Sequence, residues 1–475
     1  MRPKLRITVT LLILALLPAA CRSVFAYSLL THEQLIDLTW TDSIVPLLLS
    51  QYPGLTPQQL DEARAYAYGG CVIQDIGYYP SGDASFSNLT HYVRSGDFVV
   101  NLFRNAHNAN ELAFAIGALS HYVGDSIGHS EATNIAVPIE FPELRVRYGP
   151  QVNYAEGKHQ HVQTEFAFDI NEIAHHRVAP LGYLRHIGLQ VPVKQLALAF
   201  YQTYGLTEDF STTRGRRFNV SDYRFATRSF IPRIAYAVTI LHRSHEPADL
   251  NTPEAVEIHQ QAAKVAVEDN WDLYRGKPGI GTYTLAGLIF ILPKFGPLKM
   301  VAIKGPTADT EAHYMHSVAR SRAVLHHLLA RFTPPTDSNS TPTIHASLDP
   351  ASPSSPAQNS ASAIDDLVSH DPRHALPNRD LDTGRIVQPG GYPLTDSTYA
   401  DLLHRITSRP DQPIPPGIKQ DIEAYYADPS LPITTKKDPE VWSQVQADLA
   451  ILEKMPTSTE PMPYPTYGDD AAASQ

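Results

Sequence analysis

Three polar side chains recur at four-residue intervals within one apolar, helix-patterned segment of this 475-residue chain. The segment runs from Ala113 to Asn134 and contains His121, Asp125 and His129. Because an α-helix has 3.6 residues per turn, steps of four advance only about 40° beyond a full turn, so the three side chains share one stripe. Imidazole and carboxylate groups on one stripe suit Zn²⁺, although a polar stripe that faces solvent gives the same pattern.

Helical periodicity continues far beyond this segment. Apolar residues at three- and four-residue spacing run from Tyr27 to about Phe332, with few alternating runs that would indicate strands. Start and stop signals agree, because Thr56–Gln59 is a capping box with Pro57 in the first helical position, Gly69 and Gly70 close that helix, and Thr252-Pro253 opens another. The sequence therefore predicts an all-α domain over residues 27–332.

The first 26 residues have the pattern of an export signal peptide. A basic start, an apolar run and a small-residue cleavage site follow one another as Arg2, Lys4 and Arg6, then Leu11–Leu17, then Val24–Ala26. Cleavage after Ala26 would make Tyr27 the mature N-terminus. We therefore expect an exported protein, periplasmic or secreted.

Charge limits the classes of partner. The chain has 38 basic and 49 acidic residues, and removal of residues 1–26, which contain four basic and no acidic side chains, takes the net charge from -11 to -15. An acidic protein offers no electrostatic footprint for nucleic acid. No second apolar run approaches the roughly 20 residues of a membrane span, which disfavours a multispan membrane protein.

Cysteine content excludes a disulfide framework. Cys21 lies inside the signal segment, so Cys71 alone would remain after cleavage. The stretch Leu17–Cys21 partly resembles a bacterial lipoprotein box, but Pro18 occupies a position where an aliphatic residue is expected. Lipid anchoring through Cys21 is therefore the less favoured alternative to free export.

The C-terminal third divides into three segments by composition. Residues 333–363 form a linker in which 14 of 31 positions are Pro or Ser, a composition that cannot bury a core. Residues 364–455 are predicted to be a small helical region, with helices over Tyr399–Ile406 and Asp438–Leu452. Residues 456–475 are predicted to be a polar, disordered tail.

One apolar stretch, Leu285–Leu292, is eight residues long and ends at Pro293, so it is too short to cross a bilayer. A core helix and a membrane-dipping loop both fit it. The core helix is the favoured interpretation, because short apolar runs usually belong to interiors.

Further donors occur on both sides of the first segment. His161 and Glu165 repeat the four-residue spacing, whereas His159 would point to another side of the same helix and is left out. Upstream, Asp75 lies among apolar and aromatic residues, where a carboxylate is costly unless it is paired, bound to metal or at a turn. His91 follows Asp75, and His32 lies five residues after the expected mature terminus.

In this order, these residues resemble the zinc-dependent phospholipase C family, which is related to the N-terminal domain of the glycosylphosphatidylinositol-specific phospholipase D and to the single-strand-specific zinc nucleases. The resemblance covers roughly Tyr27 to Glu165 and rests on eight side chains. It implies an all-α catalytic domain that binds about three zinc ions.

The resemblance also implies which residues bind each ion. The first ion would take Asp75, His91 and His121, the second would take His129, His161 and Glu165, and the third would take His32 with the amino and carbonyl groups of Tyr27, while Asp125 would bridge the first and third ions. Family analogy makes Asp75 the candidate proton acceptor for the attacking water, with a purely ligating role as the alternative. Because the amine of Tyr27 is free only after cleavage, metal assembly would depend on removal of the signal.

Three departures from the family pattern bear on substrate choice. Tyr27 stands where the family's toxins and nucleases usually have Trp. Asp125 and His129 are four residues apart, as in the glycosylphosphatidylinositol-specific branch, whereas the bacterial phospholipases and nucleases have six. The long segment from His129 to His161 is rich in Pro and Tyr and is expected to form a loop over the site.

The resemblance implies an exported zinc-dependent phosphodiesterase that acts on phospholipids, with peripheral membrane contact as a further expectation. A zinc nuclease of the same fold is one alternative, which the mature charge of -15 disfavours. A non-catalytic exported protein that keeps zinc for stability is another. The remaining histidines are left out of the metal sites, among them His175, His176, His313, His316, His326 and His327.

Overall fold

The structure is a computed structural model that describes residues 29–79, 82–208, 210, 220–242, 250–277, 279–291, 303–330, 373–415 and 417–458. Within these residues the chain is overwhelmingly helical and has one two-stranded antiparallel sheet, which confirms the all-α prediction. The signal segment with Cys21, the predicted terminus Tyr27 and the linker 333–363 lie outside the described residues.

The first part of the chain forms sixteen described α-helices: α1 (Leu29–Thr39), α2 (Val45–Gln51), α3 (Pro57–Gly70), α4 (Ala84–Tyr92), α5 (Ser95–Arg104), α6 (Ala109–Gly128), α7 (Asn134–Glu140), α8 (Pro142–Tyr148), α9 (Tyr154–Ala174), α10 (Leu181–Ile187), α11 (Val193–Tyr204), α12 (Val220–Phe225), α13 (Ile231–His242), α14 (Pro253–Glu268), α15 (Ile280–Ile291) and α16 (Ala308–Ala330). Short 3₁₀ segments span Ile73–Tyr78 and Trp271–Tyr274, and π-helical turns span Trp40–Ile44, His129–Thr133 and Ala226–Phe230.

The C-terminal region begins with a hairpin of β1 (Arg379–Asp380) and β2 (Arg385–Ile386) and continues as α17 (Pro393–Thr407), α18 (Ile418–Tyr426), a 3₁₀ turn Thr434–Lys437 and α19 (Pro439–Leu452). Helices were expected at α17 and α19, although α17 begins before the expected Tyr399. Helix α18 was not predicted from the sequence. Residues 456–458 of the expected tail are bonded to Ile414 through its backbone N–H and carbonyl, and residues 459–475 lie outside the described part.

Helix α6 forms the centre of the molecule, because almost every residue from Leu112 to Gly128 is buried. It starts at Asn108, whose side chain caps the helix by accepting from the Glu111 N–H. Helices α3, α5 and α16 pack around it. The stripe that carries His121 and Asp125 is therefore held in the interior instead of facing solvent.

Glycines allow α3 and α6 to approach closely. A Cβ atom on Gly70 would lie 2.0 Å from the Phe114 carbonyl oxygen, and one on Gly117 would lie 2.2 Å from the Ala67 carbonyl oxygen. Only hydrogen fits at either position. The capping box at Thr56 is present as predicted, and Gly70 ends α3, but the contacts show that this glycine is also needed for packing.

The segment between His129 and His161 was expected to form a loop over the site, and this expectation is wrong. The π-turn His129–Thr133 leads directly into α7, and α8 follows. Pro142 is compatible with this because it occupies the first turn of α8, where its missing N–H has no helical partner in any case. Pro142 therefore starts a helix, and Pro138 lies inside α7, so neither proline makes this segment a loop.

Helix α15 contains most of the apolar stretch Leu285–Leu292, whose last residue lies outside the described part. Ala286 and Ile289 are buried, but Phe290 and Ile291 are about three-quarters exposed, at 76% and 77%. A core helix was favoured, and the structure supports it for one face only. Among the described residues, no helix is long and apolar enough to span a membrane.

Candidate metal centre

The centre of the site lies at the C-terminal end of α6. His121 and Asp125 are within the helix, whereas His129 occupies its C-cap position and opens the π-turn. Such π-turns often accompany functional sites. The spacing analysis therefore predicted the shared stripe, while the change of helix type at His129 was not foreseen.

A first group of donors combines α6 with the 3₁₀ segment Ile73–Tyr78 and α4. The Nε2 atoms of His91 and His121 lie 3.4 Å apart, and Asp75 Oδ1 lies 3.4 Å from His91 Nε2. All three side chains are buried. These are the residues expected to bind the first ion, and the fold brings them together.

Asp125 joins this group to α1. Its Oδ2 lies 3.1 Å from His121 Nε2 and 3.3 Å from His91 Nε2, and its Oδ1 lies 3.2 Å from His32 Nε2. The rings of His32 and His121 stack with centroids 4.3 Å apart. One carboxylate thus presents an oxygen to each of two donor groups, which is the arrangement required of a bridging ligand.

The second group consists of His129, His161 and Glu165. Glu165 Oε1 lies 2.8 Å from His161 Nε2 and 3.3 Å from His129 Nε2. Both α9 residues follow Gly157, where the backbone leaves helical geometry and α9 kinks. His159 is exposed, as its omission from the ligand set assumed.

His32 is positioned by an unusual cap on α1. The Asp169 carboxylate, on α9, accepts hydrogen bonds from the backbone N–H groups of Leu30 at 2.9 Å and Thr31 at 3.0 Å. A carboxylate at a helix N-terminus satisfies free donors and complements the helix dipole. Since α9 also carries His161 and Glu165, one helix fixes both the second donor group and the start of α1.

The three donor groups are separately suited to metal ions. Within each group, one donor atom per residue lies within 4.8 Å of the others, for His32, His121 and Asp125, for Asp75, His91 and His121, and for His129, His161 and Glu165. All eight described side chains are only 0–1% exposed. Tyr27, expected to contribute backbone donors, lies outside the described residues.

Backbone carbonyls fix the orientation of three histidine rings. The Nδ1 atom of His91 lies 2.7 Å from the Ser87 carbonyl, that of His121 lies 3.0 Å from the Cys71 carbonyl, and that of His129 lies 2.8 Å from the Leu381 carbonyl. A carbonyl only accepts, so each Nδ1 carries the hydrogen and each Nε2 is left with its lone pair. Metal-ligating histidines characteristically have this outer hydrogen bond.

The first group therefore needs a cation. With hydrogen on both Nδ1 atoms, the Nε2 lone pairs of His91 and His121 would face each other at 3.4 Å unless a proton or metal ion lay between them. Burial opposes a charged His91, but hydrogen bonds to Asp125 and Asp75 outweigh it and raise the pKa of His91 to about 10. Burial likewise opposes ionisation of Asp125, yet the neighbouring His121 holds its pKa well below the usual range. A metal ion would replace this proton.

In the second group, several buried ligand atoms have no hydrogen-bond partner among the described residues. Burial raises the pKa of Glu165 well above its usual range and lowers the pKa of His161 well below its usual range. No hydrogen bond from the described residues reaches either carboxylate oxygen of Glu165. Buried polar groups are normally satisfied, and a divalent cation would both satisfy the oxygens and favour the ionised carboxylate. The residues therefore fit a metal ion.

A further cluster of donors, Asp97, His374 and Asp421, was not anticipated. The Arg94 guanidinium Nε lies 2.9 Å from Asp97 and 3.2 Å from Asp421, and His374 Nδ1 lies 2.8 Å from Asp97. Because the arginine already supplies the positive charge, we interpret this cluster as an ion-pair network. It joins α5 to the C-terminal region.

The residues that support the ligands were not predicted from the sequence. Leu381 and Asp382 lie more than 200 positions from the ligands, and a carbonyl acceptor leaves no trace in residue type. The Asp380–Gly384 stretch has the polar and glycine residues of a tight turn, which was the one available signal. The six other histidines left out of the ligand set belong to none of the described donor groups.

The fold and the donor groups define an all-α metal-binding domain. A comparison with protein families matches residues 31–208 to the family described as zinc dependent phospholipase C, a range that contains all eight described donors. This match confirms the resemblance of residues 31–208 to the zinc-dependent phospholipase C family, whose name describes a phospholipase-type hydrolase. No curated protein and no solved structure gives a significant match.

Proposed function

We propose that this chain is an exported phosphodiesterase that uses about three zinc ions to hydrolyse phospholipids. The observation that carries the proposal is the juxtaposition of the two buried donor groups and the bridging Asp125 inside the family domain. Structural zinc sites are usually closed units of four protein ligands. The second group, His129, His161 and Glu165, offers only three, which leaves room for water or substrate.

In the proposal, the first and the second donor group each bind one ion. Asp75, His91 and His121 hold the first and His129, His161 and Glu165 hold the second. His32 and the backbone donors of Tyr27 hold the third, and Asp125 bridges it to the first ion. Removal of residues 1–26 is part of the proposal, because it frees the Tyr27 amine.

Zinc in such a centre lowers the pKa of water and stabilises negative charge on phosphoryl oxygens. The protein's part is to exclude bulk water and to orient the donors, and the burial of all eight side chains meets this need. Asp75 contacts only one of the described histidines closely, at His91 Nε2. We propose that Asp75 accepts the proton of the attacking water, and a purely ligating role is the alternative.

Phospholipid is the proposed substrate because the acidic chain, at a net charge of -15 after cleavage, would repel a polyanion. The exposed apolar face of α15 favours the same choice. The first turn of α15 contributes Thr282 to a cavity of about 420 Å³, which is lined by apolar residues and by Arg185, Arg233, Arg275 and Lys277. Apolar and cationic groups together suit the surface of a bilayer, so we include peripheral membrane contact in the proposal.

The first test is zinc content. The mature chain, with its N-terminus confirmed by sequencing, is expected to hold about three zinc ions in elemental analysis, in line with the three donor groups. A value near zero after zinc supplementation would contradict the proposed centre.

The second test is substrate class. The zinc-loaded protein is assayed against phosphatidylcholine, phosphatidylinositol, single-stranded DNA and RNA, and the Asp75→Asn variant provides the catalytic control. Lipid hydrolysis that falls at least about a hundredfold in Asp75→Asn would support the proposal. Cleavage of nucleic acid alone would favour the zinc nuclease, and no hydrolysis by either protein would favour a non-catalytic zinc-stabilised protein.

A further inference from the structure

The C-terminal hairpin ends against the metal centre. Its tip, residues 381–384, is held rigid by Asp380, whose Oδ1 accepts from the backbone N–H groups of Asp382 at 3.0 Å and Thr383 at 3.3 Å. The Arg379 guanidinium also donates to the Gly384 carbonyl. Residues 381–384, the hairpin tip, therefore form a turn that is held in place by the hairpin itself.

Leu381 bonds to two of the proposed ligands through its backbone. Its N–H donates to the His91 carbonyl at 3.1 Å, and its carbonyl accepts from His129 Nδ1 at 2.8 Å. His91 belongs to the first donor group and His129 to the second. One residue of the hairpin tip thus connects both groups, through the backbone of His91 and the ring of His129.

Asp382 secures the tip in place. Its Oδ2 accepts from the hydroxyls of Tyr92 at 2.9 Å and Tyr392 at 2.6 Å, and its backbone carbonyl accepts from Asn134 Nδ2 at 2.8 Å. Its Oδ1 lies 3.8 Å from His129 Nδ1, farther than the Leu381 carbonyl. The carboxylate thus adds negative charge behind the His129 ring while the carbonyl takes the hydrogen bond.

Gly384 lets the tip approach the backbone of α6. Its φ of +67° is unfavourable for residues with a side chain, and a Cβ atom would lie 2.2 Å from the Ser126 carbonyl oxygen. Ser126 lies between Asp125 and His129. A side chain at this position would therefore push the tip away from the helix end that carries the ligands.

We propose that the hairpin tip positions His129 for metal binding, so that the C-terminal region is a required part of the metal centre. Leu381, Asp382 and Gly384 act as positioning residues, since their contacts reach the ion only through His129 and His91. The inference rests on the proposed zinc centre and adds a segment that lies outside the matched family range of 31–208. Loss of such outer contacts typically weakens metal binding by about 10–100-fold.

The test measures zinc affinity in the full mature chain, without substrate. Competition with a chromophoric chelator gives the dissociation constant of each ion, and the absorption spectrum of the cobalt-substituted protein reports the ligand geometry. Gly384→Ala and Asp382→Ala are expected to raise the dissociation constant of one zinc ion by about 10–100-fold and to change the cobalt spectrum. Asp382→Asn, which still accepts from both tyrosines but removes the negative charge behind His129, is expected to weaken zinc binding less than Asp382→Ala does.

The matched control is Gly54→Ala. Gly54 also has a positive φ, +88°, but nothing lies within 4 Å of the position that a Cβ atom would take there, so the control imposes backbone strain without displacing the tip. Tyr392→Phe replaces any variant that fails to fold by circular dichroism. It removes the hydrogen bond to Asp382 and the one that the hydroxyl accepts from the Ala155 N–H, and it is expected to weaken the binding of the same ion.

Two results would overturn the inference, and they are distinguishable. If the parent binds zinc but the folded tip variants keep its affinity and its cobalt spectrum, the hairpin tip does not position His129. If the parent binds no zinc at all, the proposed function fails together with the inference that rests on it.

Discussion

His161 Nε2 and Glu165 Oε1 lie 2.8 Å apart, one helical turn from each other on α9, and face His129 from α6. Burial favours the neutral form of both His161 and Glu165, raising the pKa of the carboxyl and lowering that of the imidazole. Their proximity is therefore not a stable ion pair. It is an arrangement suited to a cation from outside the protein.

Removing one of these donors is expected to cost one zinc ion. His161→Ala should lower the zinc content by about one ion per chain, since a site of three protein ligands rarely survives the loss of one. The measurement is elemental analysis after dialysis. His159→Ala is the matched control, because His159 lies two residues away and is exposed; equal zinc loss in both variants would contradict the ligand assignment.

The ion-pair network around His374 predicts a loss of stability at alkaline pH. Burial lowers the pKa of His374, but Asp421 and Asp97 outweigh it and raise the value to about 9, against an ordinary value of 6.5. The folded state therefore binds the proton more tightly, so the stabilisation is complete below about pH 6.5 and is lost as the pH rises through 9. A shift of this size corresponds to about 3–4 kcal/mol, and because His374 is partly exposed, solvent screening should reduce the effect to about 2–3 kcal/mol.

Urea unfolding at a series of pH values measures this effect. In the His374→Asn variant the decline in the free energy of unfolding between pH 6.5 and 9 should largely disappear. A matched control is His159→Asn, whose exposed imidazole should leave the slope unchanged. A parental slope in His374→Asn would show that another group titrates.

The cap on α1 predicts a stability effect far from the ligands in sequence. Asp169→Ala leaves the buried N–H groups of Leu30 and Thr31 without their acceptor, which should lower the free energy of unfolding by about 1–3 kcal/mol. Chemical denaturation measures it. Asp42→Ala, at a half-exposed carboxylate paired with Lys264, should cost less than about 1 kcal/mol; comparable losses would contradict the cap.

The close packing of α3 and α6 predicts that alanine has opposite effects at two helical glycines, because Gly117 lies at this contact and Gly287 lies in open space on α15. Gly117→Ala should destabilise the protein by about 1–3 kcal/mol, because its Cβ would collide with the Ala67 carbonyl. Gly287→Ala should stabilise by up to about 1 kcal/mol, since nothing lies within 4 Å of its Cβ position and alanine favours helix. Thermal unfolding of both variants tests the pair, and a shift of the same sign would refute the packing argument.

Membrane contact through α15 predicts a separation of binding from hydrolysis. Phe290→Ser with Ile291→Ser should reduce cosedimentation with phosphatidylcholine vesicles severalfold, because two exposed apolar side chains are removed. Hydrolysis of a short-chain soluble phospholipid should be unchanged. Val146→Ser, at an 89% exposed apolar residue on α8, is the control; unchanged vesicle binding in the double variant would place the contact elsewhere.

Local signals predicted the helices and the donor stripe. The capping box at Thr56, the apolar periodicity and the four-residue spacing of His121, Asp125 and His129 all depend on neighbours along the chain. The resemblance then grouped donors from five separate segments, and the fold does bring the eight described side chains together.

What the sequence did not indicate depends on contacts between distant segments. The His129–His161 connection was expected to be a loop because its prolines were read as breakers, yet Pro142 fits the start of α8. The apolar run of α15 gave no indication of which face would be covered. Asp169 and Leu381 act on residues 139 and 252 positions away, and no local pattern encodes such pairs.

The position of Leu381 also sets an order of assembly during synthesis. When the ribosome has made residues 1–208, every ligand side chain is present, but the carbonyl that orients His129 is still about 170 residues away, a delay on the order of ten seconds or more at 5–20 residues per second. The nascent chain therefore contains the proposed metal ligands long before it contains the segment that orients His129. A fragment that ends at the family boundary would remain in that unfinished state.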